Sequence, residues 1–239
     1  MRYRWLLIAM VLCSAIHAEP PTTQPKEQTN IPGWGAFVDP AHDCQAKSSD
    51  GKLTITVPGT EHNLNPTPAF NNILGPRALQ SVTGDFTVQV KVSAFPPPEP
   101  NTSTDNQGHS FVSAGLLVWK DDQSFIRFMR GGLGERRVLF THLETFDQGK
   151  RKKSDFSIHR LEEAAIPDKP LWLRIERKGD AMTLSRSLDG QKWEEFATQH
   201  LADWPAQLSV GVGVVNATNK DFAPQFEQFE LHHAGQSRS

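Results

Sequence analysis

The chain has 239 residues, enough for one large domain or two small ones. It sets 25 Lys and Arg against 27 Asp and Glu, a formal net charge of −2. That balance gives no reason to expect a nucleic-acid partner, which favours a basic surface. Hydrophobic residues make up 37%, and 17 Gly with 17 Pro promise many turns. Balanced charge and frequent β-branched runs exclude a disordered or low-complexity chain.

Residues 1–18 read as an export signal. Arg2 and Arg4 give a positive start, Trp5 to Leu12 a short apolar run, and Ala15-Ile16-His17-Ala18 a cleavage site with small residues. The run is too short for a spanning helix, which needs roughly 20 apolar residues. No other stretch is a candidate membrane span. A lipoprotein would use Cys13, but Leu12 before it is large where a small residue is expected. The expectation is a secreted or periplasmic protein. Loss of the segment leaves Cys44 alone, which excludes an internal disulfide and a Cys-rich zinc site. Residues 19–31 are rich in Pro, Thr and Gln without periodicity and read as a flexible linker. The folded domain is expected over 32–233 and a disordered tail over 234–239.

From there the chain alternates with period two, the mark of half-buried strands. Leu53, Ile55 and Val57 face one way, against Thr54 and Thr56. Phe86, Val88, Val90 and Val92 alternate with Thr87, Gln89 and Lys91. Leu171, Leu173 and Ile175 alternate with Trp172, Arg174 and Glu176, and Val210, Val212 and Val214 with Gly211 and Gly213. Phe229 and Leu231 close the series. The segments 111–119 and 125–130 differ, being apolar on both faces, so each lies mid-sheet or lines a groove. Turn signals at Asp121-Asp122-Gln123, Lys178-Gly179-Asp180 and Asp189-Gly190 separate strand-like runs. Residues 93–108 and 146–154 read as loops, and 161–165 as a short helical turn before Pro167. The sum is an all-β, two-sheet antiparallel sandwich in one domain.

The ordered series from Gly51-Lys52-Leu53-Thr54-Ile55-Thr56-Val57 through Pro76-Arg77-Ala78-Leu79-Gln80, Gly84-Asp85-Phe86-Thr87-Val88 and Ala114-Gly115-Leu116-Leu117-Val118-Trp119 resembles the DUF1349 family of concanavalin A-like, or laminin G-like, jelly rolls. The likeness continues in Phe125-Ile126-Arg127, Leu173-Arg174-Ile175-Glu176-Arg177, Ser187-Leu188-Asp189-Gly190-Gln191-Lys192-Trp193 and Val210-Gly211-Val212-Gly213. The pattern is also similar to the C-terminal sandwich of some bacterial β-xylosidases. The resemblance implies a jelly-roll β-sandwich of the lectin and glucanase type with a curved sheet. It carries over no catalytic residues, and it warrants a carbohydrate expectation by analogy of fold alone.

Among candidate site residues, Trp119 follows Leu117 and Gly115 on one strand face, where Gly115 leaves room. An indole there either stacks on a sugar ring, using its apolar face and polar N–H, or belongs to the core. Arg127 and Arg130 lie on opposite faces of the next strand. One of them could hold a carboxylate or sugar hydroxyls through its planar fork, or form a surface ion pair. His62 and Asn63, in a polar run after a strand, and His109, after the proline-rich loop, could rim the same groove. The histidines are too scattered for a metal triad. No cofactor is expected; a structural calcium could use Asp43, Asp50 or Asp221. Cys44 beside His42 gives only a weak hint of thiol chemistry.

The segment Ser187 to Trp193 is similar to the sialidase Asp-box but lacks a residue between Asp and Gly, and reads as a turn. Lys150-Arg151-Lys152-Lys153 reads as a solvated loop, with attraction of an anionic glycan as the alternative. No strand carries the alternating acids of the jelly-roll glucanases; Glu144 and Asp147 come nearest but fall by a loop. No nucleophile elbow occurs. The leading expectation is therefore a non-catalytic, carbohydrate-associated protein with its ligand around Trp119, Leu117 and Arg127 or Arg130. The alternatives are a glycoside hydrolase or lyase, and a protein-interaction module of the cell envelope. The oligomeric state is not legible. Export predicts a mature chain beginning at Glu19, which N-terminal sequencing of protein recovered outside the cytoplasm checks; a lipidated chain starting at Cys13 is the contrary result.

Overall fold

The structure, a computed structural model, describes residues 29–158 and 169–233. The export segment, linker residues 19–28, the helical turn read at 161–165 and the tail 234–239 lie outside the described residues. Within them there is no helix. The strands are β1 (Asn30–Ile31), β2 (Gly35–Val38), β3 (Gln45–Ser49), β4 (Lys52–Thr56), β5 (Arg77–Thr83), β6 (Phe86–Val92), β7 (Phe111–Asp121) and β8 (Ser124–Leu133). They continue as β9 (Val138–Asp147), β10 (Lys150–Ile158), β11 (Leu171–Lys178), β12 (Ala181–Ser187), β13 (Glu194–His200), β14 (Gln207–Ala217) and β15 (Gln225–His233).

They form two antiparallel sheets, the expected sandwich. The larger runs β1-β2-β5-β14-β7-β8-β9-β10 and the smaller β13-β12-β11-β6-β15-β4-β3. Alternation places one set of side chains between them. In β6 every second residue, from Phe86 to Val92, is buried, and in β11 Leu171, Leu173 and Ile175 are. These meet Ala114, Leu116, Val118, Ile126, Phe128, Val210, Val212 and Val214 of the larger sheet. Each such aliphatic or aromatic burial is worth roughly 1.5–3 kcal/mol, and that is what holds a fold without disulfides together.

The larger sheet is also covered on its other face. Leu117, Trp119, Phe125, Met129, Phe146 and Val215 form a second apolar cluster there, capped by Leu64 from the segment 57–76. The two-faced apolar runs of β7 and β8 reflect this double coverage. Close approach is built into it: a Cβ at Gly213 would fall 2.5 Å from Leu117 Cδ1 and 3.4 Å from Leu64 Cδ1. Gly115 does not leave open room, as its sequence context suggested. A Cβ there would fall 2.4 Å from the Phe128 carbonyl oxygen, so the neighbouring strand occupies the space.

Three further expectations are corrected. The stretch 146–154 is no loop but the hairpin joining β9 to β10. Gln148 and Gly149, at φ 51° and 72°, supply the two positive φ angles that a type I′ turn requires. The Lys150–Lys153 run is accordingly strand rather than loop, on the sheet edge. The fold also begins inside the span read as linker, since Asn30 and Ile31 pair with Ala36 and Gly35. The 93–108 stretch carries no strand, though Phe95 and Thr102 anchor it as buried residues.

Trp119 belongs to the outer cluster. Its ring stacks on Phe125 at 4.2 Å and 13°, the Arg77 guanidinium lies 4.2 Å above it, and 7% of the residue is exposed. Trp119→Ala is therefore expected to destabilise the fold by about 3–5 kcal/mol, read as a lowered midpoint in chemical unfolding.

Candidate functional site

Register decides which side chains share the outer face beyond that cluster. Arg127 pairs with Glu144, Met129 with His142 and Gly131 with Phe140 across β8 and β9, while Phe111 of β7 pairs with Leu133 of β8. Of these, Arg127, Glu144, His142, Phe140, Phe111 and Leu133 form the floor of a pocket of about 300 Å³. Asn63, Asn65 and Phe70 bound it from the 57–76 segment, and Asp105, Gln107 and His109 from the loop before β7. Arg151 and Phe156 of the edge strand β10 complete the wall. The volume is at the lower end of the range for small-molecule sites, about 300–1,000 Å³.

The floor is organised by charge. Arg127 donates to Glu144 Oε2 through Nε, at 2.6 Å, and through Nη2. Its Nη1 donates to Asn63 Oδ1 at 3.3 Å and to the Leu64 carbonyl at 3.0 Å. Arg127 thus fastens the covering segment to the sheet. Glu144 Oε1 forms an ion pair with Arg151, whose Nε lies 2.9 Å away. The Arg127 and Glu144 side chains are 5% and 2% exposed, so this pair lies beyond effective screening. Burial pushes the Glu144 carboxyl up, but the neighbouring charges, Arg127 foremost, outweigh it and hold the group below its usual range.

His142 has a different environment. Its ring is fully buried, and neither nitrogen has a hydrogen-bond partner. Phe111 and Phe140 meet it edge-on, and Phe156 stacks on it at 5.6 Å and 8°. Burial above all, with Arg127 and then Arg151 adding to it against the opposing Glu144, pushes its pKa down to about 3. The imidazole is neutral at any ordinary pH.

The second carboxylate of the pocket is committed as well. Asp105 Oδ1 accepts from Ser103 Oγ at 2.9 Å and from the amides of Gln107 and His109, both at 3.0 Å. It orders its own loop and thereby sets the rim. General acid catalysis of glycoside cleavage needs a carboxyl that holds a proton. Glu144, ionised between two guanidinium groups, does not offer one.

Of the residues singled out from sequence, Arg127, Asn63 and His109 come together in this pocket. Leu117 and Trp119 share the sheet face but are packed away in the capped cluster. His62 is buried beside the pocket loop, its Nε2 2.8 Å from Asp43 Oδ1 and its Nδ1 against Thr60. Arg130 is on the opposite face of β8, as strand parity requires. It donates to the carbonyls of Lys169 at 2.5 Å and Phe95 at 3.3 Å, and burial lowers its pKa to about 10. The Asp43, Cys44 and His62 donor atoms lie within 4.8 Å of one another, but burial and the charges of Asp39 and Asp43 push the Cys44 thiol up, away from the thiolate a metal prefers. Asp50 accepts from Ser49 Oγ and Asp221 from the Gly59 amide. His142, Phe140 and Phe156 were not anticipated as site residues, whereas Glu144 and Arg151 were weighed from sequence and set aside as loop residues.

The family described as "Protein of unknown function (DUF1349)" matches residues 41–234. The chain belongs to that family. No curated protein matches this DUF1349 chain by sequence. Among solved structures it is similar to a functionally unknown protein from Saccharomyces cerevisiae, at 15% identity and TM-score 0.65, over 83% of this chain and 96% of that one. It is similar to a xylan β-1,4-xylosidase from Bacillus halodurans at 12% identity and TM-score 0.51, over 90% of this chain but only 41% of the enzyme. A legume lectin-like domain from Entamoeba histolytica matches at 8% identity and TM-score 0.50, over 83% of this chain and 89% of that one. At these identities the likeness is one of fold: a jelly-roll, lectin-like sandwich with carbohydrate-related neighbours.

His142 gives the DUF1349 fold a measurable pH dependence. Its folded pKa of about 3 lies below the ordinary 6.5, so as pH falls below 6.5 the unfolded chain binds a proton that the folded chain refuses. Stability is unaffected by this group above that window and falls with falling pH inside it, by up to about 1.4 kcal/mol per pH unit. Urea unfolding of the wild type and His142→Gln, compared from neutral pH down to pH about 4, is expected to show a shallower acid slope in the variant.

Proposed function

We propose that the protein is a secreted, non-catalytic glycan-binding jelly roll whose ligand sits in the pocket between β7–β10 and the two covering loops. The observation that carries the reading is the composition of that pocket. Phe70, Phe111, Phe140 and Phe156 offer apolar faces, while Asn63 and Asn65 offer polar groups from the buried wall and Gln107 and His109 from the exposed rim. A sugar ring has the same division, with C–H faces that pack on aromatics and hydroxyls that want hydrogen bonds at the edge. The commitment of both lining carboxylates to arginine or to their own loop supports binding without turnover. The lectin-like fold and the sandwich's occurrence within a xylosidase support a carbohydrate over a protein ligand, and the N-terminal segment supports encounter outside the cytoplasm.

Phe156 is the informative side chain, being 56% exposed on the edge strand while stacked over His142. A glycan array should give a defined set of bound structures. Phe156→Ala should weaken each by several-fold, consistent with about 0.5–1.5 kcal/mol per aromatic contact beyond area, with little change in thermal midpoint. Release of reducing sugar by repurified protein, abolished in Glu144→Gln, would contradict the non-catalytic role.

A further inference from the structure

Arg127 has every guanidinium nitrogen engaged by Glu144, Asn63 or Leu64. Arg151 does not. Its Nε lies 2.9 Å from Glu144 Oε1 as an ion pair, and among the described residues its terminal nitrogens make no hydrogen bond. Its side chain is 40% exposed at the pocket wall, with its guanidinium 5.9 Å from the Phe146 ring. Two guanidinium groups thus share one carboxylate, and the cluster keeps one net positive charge against aromatic surroundings. Asp105 also lines the pocket and keeps its charge, but it is fixed by three neutral donors of its own loop and forms no ion pair with Arg151 among the described residues. His142 adds no charge, since burial above all keeps its imidazole neutral.

We infer that the pocket selects acidic glycans, seating the carboxylate of a uronic-acid-type sugar on the free end-on fork of Arg151. The inference rests on the glycan-binding reading and deepens it. A planar carboxylate accepts two parallel N–H bonds from the Nη1–Nη2 edge, a match that neither a hydroxyl nor an ester makes. Pre-orientation matters as much as charge. The ion pair with Glu144 biases Arg151 toward the pocket before the ligand arrives, which lowers the side-chain freedom lost on binding. On the covering loops, Asn65 Oδ1 is taken by Thr67 and Gln107 Nε2 by Asn106, so ring hydroxyls would meet the Asn65 Nδ2 and Gln107 Oε1 ends.

The test is calorimetric titration of the full chain with three matched oligosaccharides, ending in glucuronate, in its methyl ester and in glucose. The acid is expected to bind at least about tenfold tighter than the ester and the glucose form, the scale of a hydrogen bond to a charged group. The preference should shrink as salt is raised. In Arg151→Gln the ratio of acid to ester affinity should fall toward one, while Arg151→Lys, which keeps the charge without the fork, should retain part of it. Thermal midpoints of both variants confirm that they remain folded. Equal binding of acid and ester by the wild type overturns the acidic selectivity and leaves glycan binding standing. No binding of any of the three, joined to a blank glycan array, overturns both.

Discussion

Everything around the pocket depends on the Arg127–Glu144 pair being satisfied. Taking two ions out of water costs several kcal/mol for each, and their attraction offsets this only when the remaining donors and acceptors are also met. Sheet register brings the two side chains opposite each other, but register alone leaves Arg127 Nη1 without an acceptor. The 57–76 segment supplies it through Asn63 and the Leu64 carbonyl, and Arg151 supplies the second partner of Glu144. The loop is therefore not a decoration on the sandwich. It lies close because Gly75 has no Cβ, which would fall 2.7 Å from both Leu64 Cγ and the Val214 carbonyl oxygen, and it must lie down because a buried guanidinium otherwise lacks a partner. Removing one ion of such a pair costs about 3–5 kcal/mol, so loop, sheet and edge strand form one cooperative unit.

The fold was legible because burial in a sandwich is written with period two. β4, β6, β11 and β14 could be read from their aliphatic alternation, and the double apolar faces of β7 and β8 foretold a covered outer surface. β9 escaped notice for a specific reason. Its outer face carries Phe140, His142, Glu144 and Phe146, so half of the alternating positions are ionisable and the apolar pattern is interrupted. The inner set, Leu139, Thr141, Leu143 and Thr145, is half polar as well. Reading Phe, His, Glu and Phe as one face would have exposed both the strand and the site. β10 was hidden further by its Lys-Arg-Lys-Lys start, which local composition assigns to solvent.

The site was half legible for a related reason. Strand parity correctly separated Arg127 from Arg130, but nothing in the sequence said which arginine faces the core edge, because both are buried. Trp119 drew attention as a large aromatic on the proper face, yet the decisive neighbour is Arg77, on a strand two places away in the sheet. Asn63 and His109 were found through the general tendency of loops to border sites, whereas their convergence depends on backbone paths that composition does not encode.

The placement of Arg151 on the last strand of the larger sheet has a consequence for how chains meet one another. An edge strand presents unpaired amides and carbonyls to any second strand of matching length. On β10 that invitation is accompanied by Lys150, Arg151, Lys152 and Lys153 in succession. A second copy pairing parallel and in register along this edge would have to strip water from two such runs and bring them side by side. Arg151, which lines the pocket, thus also belongs to a run of like charges that makes such in-register edge pairing costly.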